Sequence, residues 1–416
     1  MQAWPRPALP EVPGHSVAPL VYDSASDALV AAEPAGDTAT LYLCGITPYD
    51  ATHLGHAATY LAFDTLQRVW RDAGYAVRYA QNVTDVDDPL LERASRDGVD
   101  WRELAASEVE GFRADMTALG IIPPDAYVAV TERIEPTAVA VAELLAQGVA
   151  YRVAAPEASD DSDGHDIYFD ATAATDVSPW HLGQESRLDR DAMLAIFAER
   201  GGDPDREGKR DPLDPLLWRA ARDGEPSWES PVGTGRPGWH IECSVIALDE
   251  LGETVTVLGG GSDLLFPHHE FSAAHSSALT GEPAAQLYAH AGMVAYQGEK
   301  MSKSLGNLVK VSELRAAGAD PRGIRLALLA HHYRDDWEWT DASLPEALER
   351  LTRWQAAATA SDHRPPAQFA TLAELREALH RDLDTPAALA VVDAVAAGGL
   401  SPELRSGIHL LLGIEL

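Results

Sequence analysis

Two histidines three positions apart, His53 and His56, open a helical pattern just after a short apolar run, Leu41 to Cys44. A helix N-terminus offers free amides and the positive end of the peptide dipoles, so histidines there suit an anionic ligand such as phosphate. Gly55 between them lets a nucleotide approach the backbone closely. Alone this pattern is weak, since two surface histidines at a turn would satisfy it. Far along the chain comes Lys300-Met301-Ser302-Lys303-Ser304-Leu305-Gly306-Asn307, two lysines and two serines in a stretch ending on glycine. That composition suits a mobile clamp on a triphosphate, because an ammonium is a compact charge on a flexible stem. Lys209, Lys300, Lys303 and Lys310 are the only lysines, and three of them fall within eleven residues.

A third chemistry belongs to sulfur. The chain has 2 cysteines, Cys44 at the end of the first apolar run and Cys243 within Gly238-Trp239-His240-Ile241-Glu242-Cys243. Phe266-Pro267-His268-His269-Glu270 follows. Cysteine and histidine drawn from these elements suit a tetrahedral zinc ion. Spacing alone does not choose between His268 and His269, and two buried bystander cysteines are the plain alternative. A disulfide does not suit a reducing compartment.

These residues need a scaffold, and the chain of 416 residues is long enough for two or three domains. Leu41 to Cys44 reads as a buried strand. A helix follows from about Gly55 to Ala73, with Leu61, Thr65, Leu66, Val69 and Trp70 on one face, and Gly74 stops it. Val77 to Val83 reads as the next strand, completing a β-α-β unit of the kind that builds parallel sheets. Residues 1–35 read as an irregular lead-in, 89–150 as mainly helical, 199–237 as an irregular crossing, and the chain from Ser343 as a small helical domain. Val255 to Leu258, running into Gly259-Gly260-Gly261, is another strand-to-loop passage. No apolar run approaches the ~18 residues a membrane span needs. The N-terminus lacks a secretory pattern, so a cytoplasmic location is expected. With 32 Lys plus Arg against 65 Asp plus Glu, the net charge of -33 disfavours broad contact with nucleic acid.

Strand–HLGH–helix early and KMSKS late resembles the class I aminoacyl-tRNA synthetases, whose paired signatures read HIGH and KMSKS. Within that class, Cys44-Gly45-Ile46-Thr47, Asn82 to Asp88, Arg236 to Ser244 and Gly259 to Asp263 resemble blocks of the cysteinyl-tRNA synthetases, covering most of residues 40–310. The resemblance implies an α/β fold: a class I synthetase-like Rossmann catalytic domain, a connective insertion and a C-terminal helical bundle. Its boundaries would be 1–110 for the first catalytic half, 111–224 for the insertion, 225–298 for the second half with the zinc ligands, 299–342 for the KMSKS segment and 343–416 for the helices. It also implies a zinc ion held by Cys44, Cys243 and His268 that binds the substrate thiol. His53, His56, Lys300 and Lys303 would be catalytic, with Lys303 the main clamp on the transition state. Cys44, Gly45, Ile46, Thr47, Thr59, Asn82, Val83, Thr84, Trp239, Gly261, Ser262, Asp263 and Val294 would surround the adenylate.

Two departures matter. The cysteinyl-tRNA synthetases continue His-His-Glu-Asn-Glu, the last glutamate being a fourth zinc ligand, whereas this chain has Phe271 and Ser272 after Glu270. From 321 to 416 there are 9 arginines, no lysine and 14 acidic residues, which is not the basic stripe that grips an RNA stem. Both departures resemble a sister family, the cysteine:glucosaminyl-inositol ligases of mycothiol biosynthesis. So do the form Thr47-Pro48-Tyr49-Asp50-Ala51-Thr52-His53-Leu54-Gly55-His56, the block Glu199-Arg200-Gly201-Gly202-Asp203-Pro204, and the openings Met1 to Trp4 and Glu11 to Gly14. This resemblance runs nearly end to end. It implies an ATP-dependent ligase that forms cysteinyl-adenylate and passes the acyl group to the 2-amine of glucosaminyl-inositol. One Zn2+ per chain, ATP with Mg2+, and L-cysteine would be its small-molecule needs; it would act as a monomer with neither nucleic acid nor membrane as partner. Asp263 or a nearby histidine could help deprotonate the amine. A cysteinyl-tRNA synthetase and a non-catalytic binding or regulatory paralogue are the alternatives.

Overall fold

The β-α-β unit at the head of the chain forms as its pattern predicts: β1 (Thr38–Leu43), α1 (Leu54–Asp72) and β2 (Ala76–Val83). The computed structural model describes residues 1–50, 52–160, 162–301, 306–359 and 366–416, and of Lys300 the backbone alone. Leu61, Thr65, Leu66, Val69 and Trp70 of α1 are all buried, as the apolar stripe demands. β3 (Ala126–Ala129) pairs with β2, while β4 (Val255–Gly261) and β5 (Ala285–Ala291) add on the other side of β1. All five strands run parallel in the order β5-β4-β1-β2-β3. This is a doubly wound sheet whose order reverses between β1 and β4, and such sheets bind ligands beyond the strand ends at that reversal. Thr40 and Thr256 knit the two strands together, each backbone amide donating to the other's hydroxyl at 3.1 and 2.8 Å.

Between β3 and β4 lies a second sheet, four antiparallel strands at 150–154, 165–169, 216–220 and 235–237. Its last two strands sit inside the Gly- and Pro-rich stretch 199–237. Conversely β3, which falls within the span 111–224 expected as insertion, is a strand of the parallel sheet. The lead-in also carries structure, a short hairpin of Leu20–Asp23 and Ala28–Ala31. These strands are brief and partly exposed, so their sequence bears too little alternation to stand out from coil.

Helices from Ser343 onward pack as the bundle expected there. A buried ion group ties them to the sheet. Asp64 on α1 meets Arg68 at 2.7 Å and also pairs with Arg325, all three being essentially inaccessible. Arg325 then donates to the Leu412 carbonyl at 2.6 Å and Arg68 to the Leu410 carbonyl at 3.0 Å. One carboxylate is shared by two guanidiniums whose remaining donors go to backbone carbonyls, so removing Asp64 would leave two buried cations unpaired and cost about 3–5 kcal/mol. Among the described residues no helix is long and apolar enough to cross a membrane.

Candidate active site at the reversal of strand order

Cys44 is the first residue past β1, and Gly45 follows in a position only glycine can hold. An added Cβ would lie 1.6 Å from the Asn82 carbonyl oxygen, and the Gly45 amide donates to the Asn82 side chain at 2.7 Å. Asn82 in turn donates to the Thr84 hydroxyl at 3.0 Å, and the Thr84 amide to the Ile46 carbonyl at 3.0 Å. The end of β2 thus holds the Gly45–Thr47 turn from behind. That turn leads to His53, whose Nδ1 accepts from the Gly55 amide at 3.1 Å and caps α1. The His53 and His56 rings lie 4.0 Å apart, side by side at the start of the helix.

A cleft of about 510 Å³ opens between these elements and the loops after β4 and β5. Cys44, Gly45, Ile46, Thr47, His53, His56, Thr59, Trp239, Gly261, Asp263 and Val294, drawn from five stretches of sequence, line it. Asn82, Val83 and Thr84 stand behind the lining, and Ser262 lies in the turn Ser262–Leu264 beside it. Lys303 lies outside the described residues; the Lys300 backbone pairs with Ala295 in a small hairpin, and Met301 beside it lines the cleft. After the lysine motif the chain runs back against the first signature, the Leu54 amide donating to the Val309 carbonyl at 2.9 Å. The segment that follows the lysine motif, some 250 positions later in sequence, therefore lies against the first signature. Tyr49, Asp50, Tyr60, Leu264, Met293 and Leu308 also face the cleft. They lacked a sequence signal, except that Tyr49 and Asp50 lie inside the first motif.

At the inner end of the cleft, α2 (Trp239–Leu251) brings Cys243 to Cys44, their sulfurs 3.9 Å apart. His268 Nε2 lies 3.3 Å from the Cys243 sulfur, and one donor atom from each of Cys44, Cys243 and His268 falls within 4.8 Å of the others. All three residues are buried. Burial raises both thiols, and Cys44 stays well above the usual thiol range, being hydrogen-bonded to Cys243 as well. For Cys243 the Cys44 hydrogen bond and the adjacent His268 imidazole outweigh burial and bring the thiol well below it. Trp239 stacks on the His268 ring at 4.4 Å, forming the wall between this end and the open cleft. The Ser272 hydroxyl is engaged elsewhere, donating to the His240 carbonyl at 3.1 Å.

His269 is placed beside, rather than in, this group. Its Nε2 is 3.3 Å from the Cys44 sulfur, while Nδ1 meets His290 Nε2 at 2.8 Å and His290 Nδ1 meets the Ser24 hydroxyl at 2.7 Å. Burial keeps both imidazoles far below their usual range, His290 at about 4. Neutral rings in such a row can each donate once and accept once, so the row orients His269 against the Cys44 sulfur. The donor set and its burial fit a zinc ion: two sulfurs and an imidazole nitrogen with neutral outer partners.

A parallel sheet with a cleft at its reversal, entered by a helix start bearing paired histidines, defines a class I synthetase catalytic domain. The profile of the tRNA synthetases class I (C) catalytic domain matches residues 32–349. Among solved structures, Mycobacterium tuberculosis methionyl-tRNA synthetase in complex with methionyl-adenylate is similar with a TM-score of 0.61 at 18% identity, over 91% of this chain and 88% of that one. Agrobacterium radiobacter leucyl-tRNA synthetase is similar with a TM-score of 0.58 at 14% identity, over 91% and 83%. At those identities the likeness is one of fold. The L-cysteine:1D-myo-inositol 2-amino-2-deoxy-alpha-D-glucopyranoside ligase of Clavibacter michiganensis is 60% identical over 100% of this chain and 99% of its own length. That of Gordonia bronchialis is 57% identical over 98% and 94%. The chain belongs to the class I (C) synthetase catalytic family, on the branch of these ligases.

Proposed function

We propose that this enzyme activates L-cysteine with ATP and transfers the cysteinyl group to the 2-amine of glucosaminyl-inositol, forming an amide. The observation that carries the reading is the buried Cys44–Cys243–His268 group at the inner end of a cleft whose outer end holds His53 and His56. One end suits a thiol and the other a triphosphate. In the first step the carboxylate oxygen of cysteine attacks the α-phosphorus of ATP and pyrophosphate leaves. His53 and His56, at the positive end of α1, stabilise the charge that builds on the phosphate oxygens. Thr47 and Trp239 bracket the aminoacyl part, and Gly261, Asp263 and Val294 the adenosine. In the second step the acceptor amine attacks the acyl carbon, loses a proton, and AMP departs.

Cys44, Cys243 and His268 would hold zinc, which when bound supplies a soft Lewis acid for the substrate thiol. Ser272 is engaged with the His240 carbonyl, which leaves the fourth position to that thiol. A hydroxyl is a harder and far less acidic donor, so serine is rejected at the same place. Lys300 and Lys303 are assigned to the triphosphate by their motif. The C-terminal stretch 321–416 is acidic on balance, with 9 arginines against 14 acidic residues, which favours the small amino sugar over RNA as the acceptor. The test is AMP release with zinc, ATP and cysteine, comparing glucosaminyl-inositol with cysteine tRNA. Stimulation by the sugar with an amide product is expected; stimulation by tRNA alone would overturn the reading.

A further inference from the structure

The block Glu199-Arg200-Gly201-Gly202-Asp203-Pro204 has no place in the chemistry above, and read as sequence it is only a turn between helices. In the fold it is a built unit. The chain leaves helix Arg190–Phe197 through a short 3-10 turn, reverses at Gly201 with φ 88°, and lays Gly202 against the Phe197 ring. A Cβ on Gly202 would come within 2.5 Å of that ring. Asp203 then receives the ammonium of Lys209 at 2.9 Å, with the Tyr168 hydroxyl also donating to it. The Lys209 side chain is 2% exposed and donates as well to the Pro212 carbonyl at 2.8 Å. The turn is thus tied to the insertion's sheet through Tyr168 and to the following segment through Lys209.

What it carries is Arg200. One guanidinium nitrogen donates to the Asp263 carbonyl at 2.8 Å and to the Phe266 carbonyl at 2.7 Å. These two carbonyls bracket the loop that leaves β4, with Asp263 in the cleft and His268 beside the cysteines. Phe197 packs on the same loop, its ring 6.2 Å from Phe266 and 6.0 Å from Phe271. The far end of the loop is gripped separately. The Glu270 carboxylate accepts from the Trp180 indole at 3.1 Å and from the Gly183 and Ser186 amides at 2.9 and 2.8 Å.

We propose that Arg200 is a positioning residue through which the insertion sets the Asp263–His268 loop, and with it the nucleotide end and the thiol end of the site together. Arg200 does not line the cleft itself. Its effect passes through two backbone carbonyls, one at Asp263 and one two residues before His268. Loss of the guanidinium frees both carbonyls, so Asp263 and His268 lose their fixed places at once. The roles of those two residues rest on the functional reading above.

The experiment compares wild type with Arg200→Ala, Arg200→Met and Glu199→Ala. Zinc affinity is measured by chelator competition without substrates, AMP affinity by calorimetry, and folding by circular dichroism and thermal unfolding. In Arg200→Ala both affinities are expected to fall by about 10- to 100-fold, the range typical of outer-shell residues, with Glu199→Ala unchanged. Added guanidinium at low concentration should restore part of both in Arg200→Ala and neither in Arg200→Met, where the stem fills the space. Should the alanine variant not fold, Arg200→Met carries the test, since it keeps the packing and lacks the donors. Wild-type affinities in folded Arg200→Met or Arg200→Ala, or a lowered melting point alone, would overturn the proposal. Cysteine-dependent pyrophosphate exchange of the wild type is run alongside. Its absence would count against the functional reading, while the two affinities still judge Arg200.

Discussion

The two ends of the cleft are built on different terms. At the thiol end Cys44, Cys243 and His268 are buried, and contacts are passed on through the buried His269 and His290 to the half-buried Ser24. At the phosphate end His53 and His56 are half-buried at a helix start, and the segment that follows the lysine motif is joined to Leu54 by a backbone hydrogen bond. The difference matches the two ligands. A thiol must be told from a hydroxyl, which needs a rigid, dry site with fixed donors. A triphosphate must enter, change shape and leave as pyrophosphate, which needs charge that can follow it. On the proposed reading, selection and turnover fall at opposite ends of one cleft.

Substitutions at the two ends should separate cleanly. The largest effect is expected from Cys243→Ser. The donor set loses a thiolate, stoichiometric zinc is lost, and cysteine-dependent pyrophosphate exchange falls on the order of 10³, several kcal/mol of lost stabilisation. Metal analysis and exchange assays on the same preparation check this. Retention of zinc with full exchange would break the comparison at the thiol end. Next comes His56→Ala, which should lower the exchange rate by about a hundredfold, the usual loss for one charge-stabilising donor. Its zinc content should equal wild type, and parallel loss of zinc would mean that the two ends are not separate.

The smallest effect is a pH dependence behind the thiol end. Burial, then repulsion by Glu270 and Asp23, pushes the Glu185 carboxyl up to about 8. In the unfolded chain it would titrate near ~4.3. The folded state therefore holds this proton more tightly, and the associated stability, complete below the unfolded value, is lost as pH rises through about 8. Glu185→Gln should match wild type near the acid limit and grow more stable relative to it as pH rises, levelling above that range. At alkaline pH the variant should unfold at a midpoint some degrees above that of wild type. Thermal unfolding across acid, neutral and alkaline buffers reads it, and a constant difference between the two proteins would count against a buried protonated carboxyl.

How much of this was readable beforehand depends on whether the information is local. The HLGH turn, the helix after it and the β-α-β unit were legible, because apolar spacing and a stopping glycine act within a few residues of one another. The hairpin at 20–31 and the strands at 216–220 and 235–237 were not. They are short, and their hydrogen bonds come from neighbours far away in sequence, so propensity says little about them. The choice between His268 and His269 was open for the same reason. Adjacent residues have the same spacing to both cysteines, and only the turn before α3 (Glu270–Thr280) sends one ring to Cys243 and the other toward Cys44 and His290.

The sequence by itself determined the chemical inventory: two cysteines, paired histidines at a helix start, a lysine motif, a serine where a further zinc ligand would stand, and an acidic tail. Those are properties of residue type and near spacing, which the chain carries whether folded or not. Only the tertiary structure decided that Cys44 and Cys243 share a site 3.9 Å across, that the lysine motif's flank lies on the first signature, and that Arg200 reaches the Asp263 and Phe266 carbonyls. Each of those is a contact between distant segments. Its formation depends on the order of strands in the sheet and on cores closed elsewhere, not on anything the two segments say about each other.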